Sequence, residues 1–215
     1  MTAICLQHAV PQVSFDAFIP YISVVVDGVP ANVAGHMARL SAIDFALRSH
    51  VVRRTMWAPS QTAVRHYPLE IGDCYTMVSV SSLSVNGEQY AARAPAGQVD
   101  IYSGCWFAFE QPCDLYIGRP ACEDRARGLE VNLIVAPGQD SCTIDQWVYQ
   151  RYAEPIAAGA LARLFRMPSE PWYDLRLAKD YANDFDRMLT LARAADRSGY
   201  SSAPMKLPMP KGFLV

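Results

Sequence analysis

The chain lacks the short signatures by which most enzymes announce themselves. It contains no G-x-G-x-x-G, no G-x-x-x-x-G-K-[ST], no H-E-x-x-H and no G-x-S-x-G. Dinucleotide binding, P-loop chemistry, zinc proteolysis and the nucleophile elbow therefore have no anchor in it. No apolar run approaches the roughly 18 residues that cross a bilayer. The longest candidate, residues 18–26, is short and holds Pro20. The opening M-T-A-I-C-L-Q-H has no basic segment ahead of an apolar one, so no signal peptide is expected and the cysteines should meet a reducing cytosol. A net charge of -2 and a pI near 6.1 leave no basic footprint for tight, sequence-independent DNA binding, though DNA passing nearby is compatible with them.

Chemistry-bearing residues are sparse and scattered. Cys5, Cys74, Cys105, Cys113, Cys122 and Cys142 form no C-x-x-C pair. Four sit among apolar or aromatic residues in expected strands and read as small buried hydrophobes, with a metal site as the alternative. His8, His36, His50 and His66 are dispersed. Only His36 and His50 share an expected helix, about four turns apart, too far to share a metal. All four read as surface or structural histidines. A cysteine nucleophile needs an adjacent base; Cys105 with His66 and Asp100 is the best trio that can be constructed, and nothing in the spacing supports it beyond chance. Glu123, Asp124, Asp140 and Asp145 fall in turns, where carboxylates bond local backbone, and Asp145 stands where it can cap the following helix. No catalytic, cofactor-binding or metal-ligating set is assigned.

What the chain does have is pattern. Its 215 residues are 51% hydrophobic, enough for one large or two small domains. Residues 145–197 read as two helices around an M-P-S-E-P connection, since Pro168 and Pro171 cannot lie inside a helix. Val148, Tyr152, Ile156, Ala160 and Leu164 make one apolar stripe; Leu175, Ala178, Ala182, Phe185, Leu189 and Ala192 make the other. So short a connection predicts an antiparallel hairpin. Gly159, Ala160 and Trp172 are candidate packing residues. Gly159 predicts a close backbone approach, either inside the subunit or against a neighbouring copy. Near the N-terminus, residues 1–13 read as an extended arm and Ser14 as the cap of a short helix. Asp27-Gly28 is a turn, and Pro30 opens a helix over about residues 31–54. Val33, Met37, Leu40, Ile43, Leu47 and Val51 are its expected buried side, with Arg39, Arg48, Arg53 and Arg54 wet. Asp44 is placed to pair with Arg48.

Between these segments lie five to seven short strands, expected to be antiparallel because their connections are short. Asn86-Gly87 marks a tight hairpin. Gln111-Pro112-Cys113 marks a turn, and Leu129, Val131, Leu133 and Val135 alternate on one strand face. Trp106, Phe107 and Phe109 put aromatics on both faces of theirs. The expected fold class is α+β: a discontinuous helical bundle (1–58 with 144–200), an inserted antiparallel β domain (59–143) and an extended C-terminal arm (201–215). That arm holds three prolines and large apolar residues that need a surface. Its docking candidates are Met205, Lys206, Leu207, Met209, Lys211, Phe213, Leu214 and Val215, to be buried on their own subunit or on a partner.

Three stretches carry a family resemblance. They are F-D-A-F-I-P-Y-I with A-R-L-S-A-I-D-F-A-L-R-S-H-V-V-R-R; Y-P-L-E-I-G-D-C-Y-T-M-V-S-V-S-S-L-S-V-N-G; and W-V-Y-Q-R-Y-A-E-P-I-A-A-G-A-L-A-R-L-F-R-M-P-S-E-P-W-Y-D-L-R-L-A, running on to D-F-D-R-M. Together the chain resembles the head-to-tail adaptor (connector) proteins of short-tailed bacteriophages, of the tubular tail protein A-like kind. Residues 91–128 match little of that pattern. The resemblance implies a virion structural protein at the head–tail junction, made in the host cytoplasm and not an enzyme. It implies a ring of copies, a dodecamer as a rule, with portal protein and tail nozzle protein as partners. Genomic DNA would pass through without specific binding, and no membrane or cofactor is involved. A near-neutral wall suits that passage, because each neutralised phosphate adds salt-dependent affinity. Another tail-completion or nozzle protein, and a hydrolase using Cys105, are the alternatives.

Overall fold

A computed structural model of the chain describes residues 10–72, 74–93 and 104–197. Ser14 closes a short strand, β1 (Gln12–Ser14), and its hydroxyl accepts from the Asp16 amide at 3.2 Å. It caps as expected, but the element it caps is a 3-10 turn, Phe15–Phe18. Pro20 then sits in the first turn of α1 (Ile19–Ser23), where its missing N–H is harmless.

The next helix, α2 (Ala31–Ser49), ends short of the expected Arg54, because His50 turns left-handed at φ 60°. Arg53 and Arg54 belong instead to a strand, β2 (Arg53–Ser60). The stripe extended through Val51 had run apolar residues of a helix and of a strand approach together. The buried face also differs from the expected one. Ala34, Ala38, Ser41, Ala42, Phe45 and Ala46 are buried, whereas Val33, Met37, Leu40 and Ile43 are half-buried and Leu47 is 42% exposed. Apart from Phe45 this face is made of small side chains, which let the helix press closely on a neighbour, so closeness of approach and not hydrophobicity alone selects it.

Beyond β2 come β3 (His66–Pro68), β4 (Tyr75–Val85), β5 (Glu88–Ala92), β6 (Trp106–Glu110), β7 (Asp114–Ile117) and β8 (Arg125–Pro137). They form a seven-stranded sheet in the order β2-β8-β4-β5-β6-β7-β3. Asn86 and Gly87, at φ 53° and 90°, turn β4 into β5 as their positive-φ preference requires. Leu129, Val131, Leu133 and Val135 are fully buried along β8, the strand flanked by both β2 and β4. The pairing is antiparallel except between β5 and β6, which run parallel and depart from the all-antiparallel expectation. A ninth strand, β9 (Thr143–Asp145), pairs with β1 in a separate ribbon.

The chain then enters α3 (Gln146–Leu164) and α4 (Leu175–Arg197), joined across Pro168 and Pro171. Pro155 cannot donate to the carbonyl four residues back, and α3 bends where Tyr152 leaves helical geometry (φ -127°, ψ 24°). The expected α3 stripe is buried throughout, and nearly every other side of the helix is buried too. On α4 only part of the stripe is: Ala178, Phe185, Leu189 and Ala192 are buried, Ala182 is half-buried, and Leu175 at the first turn is 60% exposed.

The expected class, a helical bundle carrying a β insert, is therefore corrected to a sheet-rich α+β fold with four α-helices, a seven-stranded sheet and a two-stranded ribbon. The physical reason is a shared core. Phe45, Ile156 and Phe185 of the helices and Met56, Leu133 and Val135 of the sheet lie in one continuous buried cluster. No helix among the described residues is long and apolar enough to cross a membrane.

Candidate functional site

The most fully built polar cluster lies where sheet, ribbon and α3 meet. Asp145 ends β9 and occupies the N-cap position of α3, yet its carboxylate makes no cap bond. It instead accepts from the Arg54 guanidinium and from the Tyr75 hydroxyl. Side-chain exposure is 1% for Asp145 and 12% for Arg54, so this is a desolvated ion pair whose partners cannot easily be replaced by water. Arg54 also donates to the Tyr75 oxygen at 3.1 Å and lies 5.2 Å from that ring's centroid. Gln12 donates to the same oxygen at 3.1 Å while accepting from Thr143 at 2.5 Å. Burial, and then the bond to Asp145, push the Tyr75 hydroxyl above its ordinary pKa, so it remains a donor at neutral pH. The cluster ties β1, β2, β4 and β9 to the head of α3. Sequence reading missed it, because Arg54 and Asp145 stand 91 positions apart.

The constructed trio does not assemble around Cys105. Its thiol donates to Glu88 at 3.0 Å, and Arg119 stands 3.9 Å from the sulfur. The Glu88 bond leads the causes that raise the Cys105 pKa, the reverse of what a nucleophilic thiolate needs. Arg119 reaches Cys122 as well, at 3.6 Å. His66 pairs with Asp114 at 2.7 Å and stacks on Tyr116 at 4.8 Å, and Asp100 lies outside the described residues. The expectation of small buried cysteines holds only in part: Cys74, Cys122 and Cys142 are exposed, Cys105 and Cys113 pack half-buried against the core, and Cys5 lies outside the described residues. Among the described residues no three His, Cys, Asp or Glu side chains are grouped to hold a metal. Asp124 bonds the Thr62 hydroxyl and amide at 2.5 Å, a long-range tie and not a local turn bond, and this lowers its pKa.

One polar cleft of about 250 Å³ opens between the start of α2, the capped 3-10 turn and residues 141–142. Asp16, His36 and Arg39 line it, and Arg39 meets His36 at 2.9 Å. Asp16 lines the cleft as Arg39 does, so it is no dedicated anion site.

Interface candidates divide by location. Met205, Lys206, Leu207, Met209, Lys211, Phe213, Leu214 and Val215 lie outside the described residues. Gly159 faces its own subunit: a Cβ there would stand 2.2 Å from the Ser41 hydroxyl and 2.8 Å from the Phe185 ring. Ala160 is fully buried, and Trp172 packs half-buried against the core. Around Gly159, Arg163 donates to its carbonyl at 2.8 Å and to Asp44 at 3.0 Å, and Asp44 stands 3.7 Å from Arg48 in the expected i,i+4 pair. Exposed large apolar residues lie elsewhere: Tyr21, Val24 and Val25 in and just after α1, Leu47 on α2, Trp57 on β2, and Tyr173, Leu175, Leu177 and Leu191 on and before α4. The sequence pattern put Leu47 and Leu175 on buried stripes and passed over the others, because it assumes that every apolar stripe is covered within its own subunit.

No protein-family model matches the chain, and a search of curated proteins gives no match.

Proposed function

We propose that this protein is a head-to-tail adaptor of a short-tailed bacteriophage: a non-enzymatic virion protein that forms a ring around the DNA channel between portal and tail nozzle. The observation that carries the reading is where the most specific part of the resemblance falls. Its third stretch is the α3–α4 hairpin, and α3 is the most completely buried helix, bent to serve both ribbon and helical layer. The surface adds support. Leu175, Leu191 and Val24 are 60%, 59% and 86% exposed, side chains of the kind that an obligate assembly covers.

Residues 201–215 are the arm by which the ring holds the portal or an adjacent copy. Deleting them should leave a subunit with an unchanged melting temperature that no longer co-sediments with portal rings. Attachment that survives the deletion overturns that role. Scattering mass of the protein with and without portal tests the ring, and electron microscopy of the virion tests its position. Density on the tail-distal side of the junction would reassign the chain as a nozzle or other tail-completion protein.

A further inference from the structure

Arg119, just past β7, sets its guanidinium against two sulfurs at once. One of its nitrogens stands 3.9 Å from the Cys105 sulfur and another 3.6 Å from the Cys122 sulfur. The guanidinium fork is planar and rigid, so it gathers both thiols at one place. The buried Tyr90 hydroxyl donates to the Arg119 carbonyl at 2.9 Å and anchors that residue's backbone. Glu88 completes the group. Its carboxylate accepts from the Cys105 thiol at 3.0 Å and lies 3.6 Å from Arg119. The Arg119 and Glu88 side chains are 51% and 52% exposed, so small solutes reach the sulfurs. The backbone on both sides is held. Cys105 accepts from the Ala91 amide of β5 at 2.9 Å. Beyond Cys122, Asp124 bonds the Thr62 amide and hydroxyl, and the buried Ala121 bridges to Thr62. Side-chain rotation is the motion left to bring the two sulfurs together.

We propose that Cys105 and Cys122 form a peroxide-responsive dithiol, in which Cys122 is oxidised first, Cys105 resolves it, and Arg119 and Glu88 position the pair. Cys122 is the exposed thiol, and the Arg119 cation favours its thiolate, the form that attacks. Its sulfur attacks one oxygen of hydrogen peroxide. A sulfur–oxygen bond forms, the oxygen–oxygen bond breaks, and the departing hydroxide leaves as water with the Cys122 proton. The bond to Glu88 makes Cys105 a poor first nucleophile, but it gives the Cys105 proton a receiver in the second step. The Cys105 sulfur attacks the Cys122 sulfur, the disulfide forms, and the sulfur–oxygen bond breaks. The hydroxide released takes the proton held by Glu88 and leaves as a second water. Two thiols are oxidised by two electrons, and one peroxide is reduced to two waters. The other described cysteines are placed differently: burial raises the Cys113 pKa, and Cys142 donates to the Asp140 carbonyl at 3.8 Å. The inference stands on this cluster and is independent of the adaptor reading.

The test is the full, reduced chain treated with dilute hydrogen peroxide, quenched at intervals with a thiol-alkylating maleimide and mapped by peptide mass spectrometry. Cleavage after Glu110 separates Cys105 from Cys113 and Cys122. Cys105 and Cys122 should disappear together into one cross-linked pair, roughly tenfold faster than the exposed Cys74 and Cys142 are lost in the same sample. Arg119→Gln should slow the pair roughly tenfold and leave Cys74 and Cys142 as they were. In Cys105→Ser, Cys122 should stop at the sulfenic acid and be captured by dimedone. In Cys122→Ser, Cys105 should remain a thiol over the same interval. Loss of all the exposed cysteines at one rate, a cross-link whose yield rises with protein concentration, an unchanged rate in Arg119→Gln, or a Cys105→Ser chain that dimedone does not label overturns the proposal. The comparison with Cys74 and Cys142 needs no variant, so it decides the matter whether or not the substituted chains fold.

Discussion

The two helices of the C-terminal hairpin meet their surroundings in opposite ways. α3 is buried on nearly every side, bent at Tyr152, fastened at its head by Asp145 and pressed so closely on α2 that Gly159 has no room for a methyl group. α4 is longer and straight in pattern, burying one narrow face and leaving Leu175, Leu177 and Leu191 in solvent. The comparison teaches that neighbouring helices with equal apolar stripes need not share a job. One is enclosed by its own subunit. The other retains surface that the subunit does not use.

Substitutions can break that contrast at several strengths. Asp145→Ala should have the largest effect, about 3–5 kcal/mol of stability, because it leaves the largely buried Arg54 guanidinium without its charge partner. Chemical denaturation measures this. Gly159→Leu should follow, at about 1–3 kcal/mol, since its side chain must displace Ser41 and Phe185; an unchanged midpoint would show that the α2–α3–α4 contact is looser than its geometry. Asp186→Ala, which removes only a half-exposed ion pair between α4 and α2, should cost about 0–1 kcal/mol and less in high salt. Leu191→Ser should be smallest for folding, within about 0.5 kcal/mol. A large loss there would mean that α4 is enclosed like α3.

The head of α3 also predicts a pH response. Because the folded state holds the Tyr75 hydroxyl protonated above its ordinary 10.0, the folded form binds more protons than the unfolded one in that range. Stability should be fully present below pH 10 and decline as pH rises past it. Tyr75→Phe should flatten the decline, read as melting temperature against pH in the alkaline range. Tyr90, pushed up to about 12 chiefly by burial, adds to the same slope, so the double variant should be flatter still.

How legible these features were follows from how local their causes are. Ser14, Asn86-Gly87, Pro168 with Pro171, and the Leu129–Val135 alternation act through neighbours in sequence, and each was readable. Three features were not. The covered face of α2 depended on how near α3 comes, which favours Ala34, Ala38 and Ala42 over Met37 and Leu47. The end of α2 depended on His50 adopting φ 60°, a conformation histidine tolerates but does not advertise. The buried pair at the head of α3 joined residues from separate elements, one expected on a wet helix face and the other in a turn. The parallel β5–β6 step was hidden for the same reason, since strand direction across a long connection is a tertiary choice.

The β1–β9 ribbon has a consequence for how the chain folds. It sets Gln12 opposite Asp145 and Ser14 opposite Thr143, and β2 finds β8 across a shorter but still long interval, Arg53 opposite Ile134. Contacts so distant in sequence form only after a large loop has closed, which slows folding. A ribosome adding residues one at a time therefore exposes β1 and β2 long before their partners exist. The early product is a chain with waiting strand edges, and the order of synthesis places its aggregation risk before residue 145 emerges.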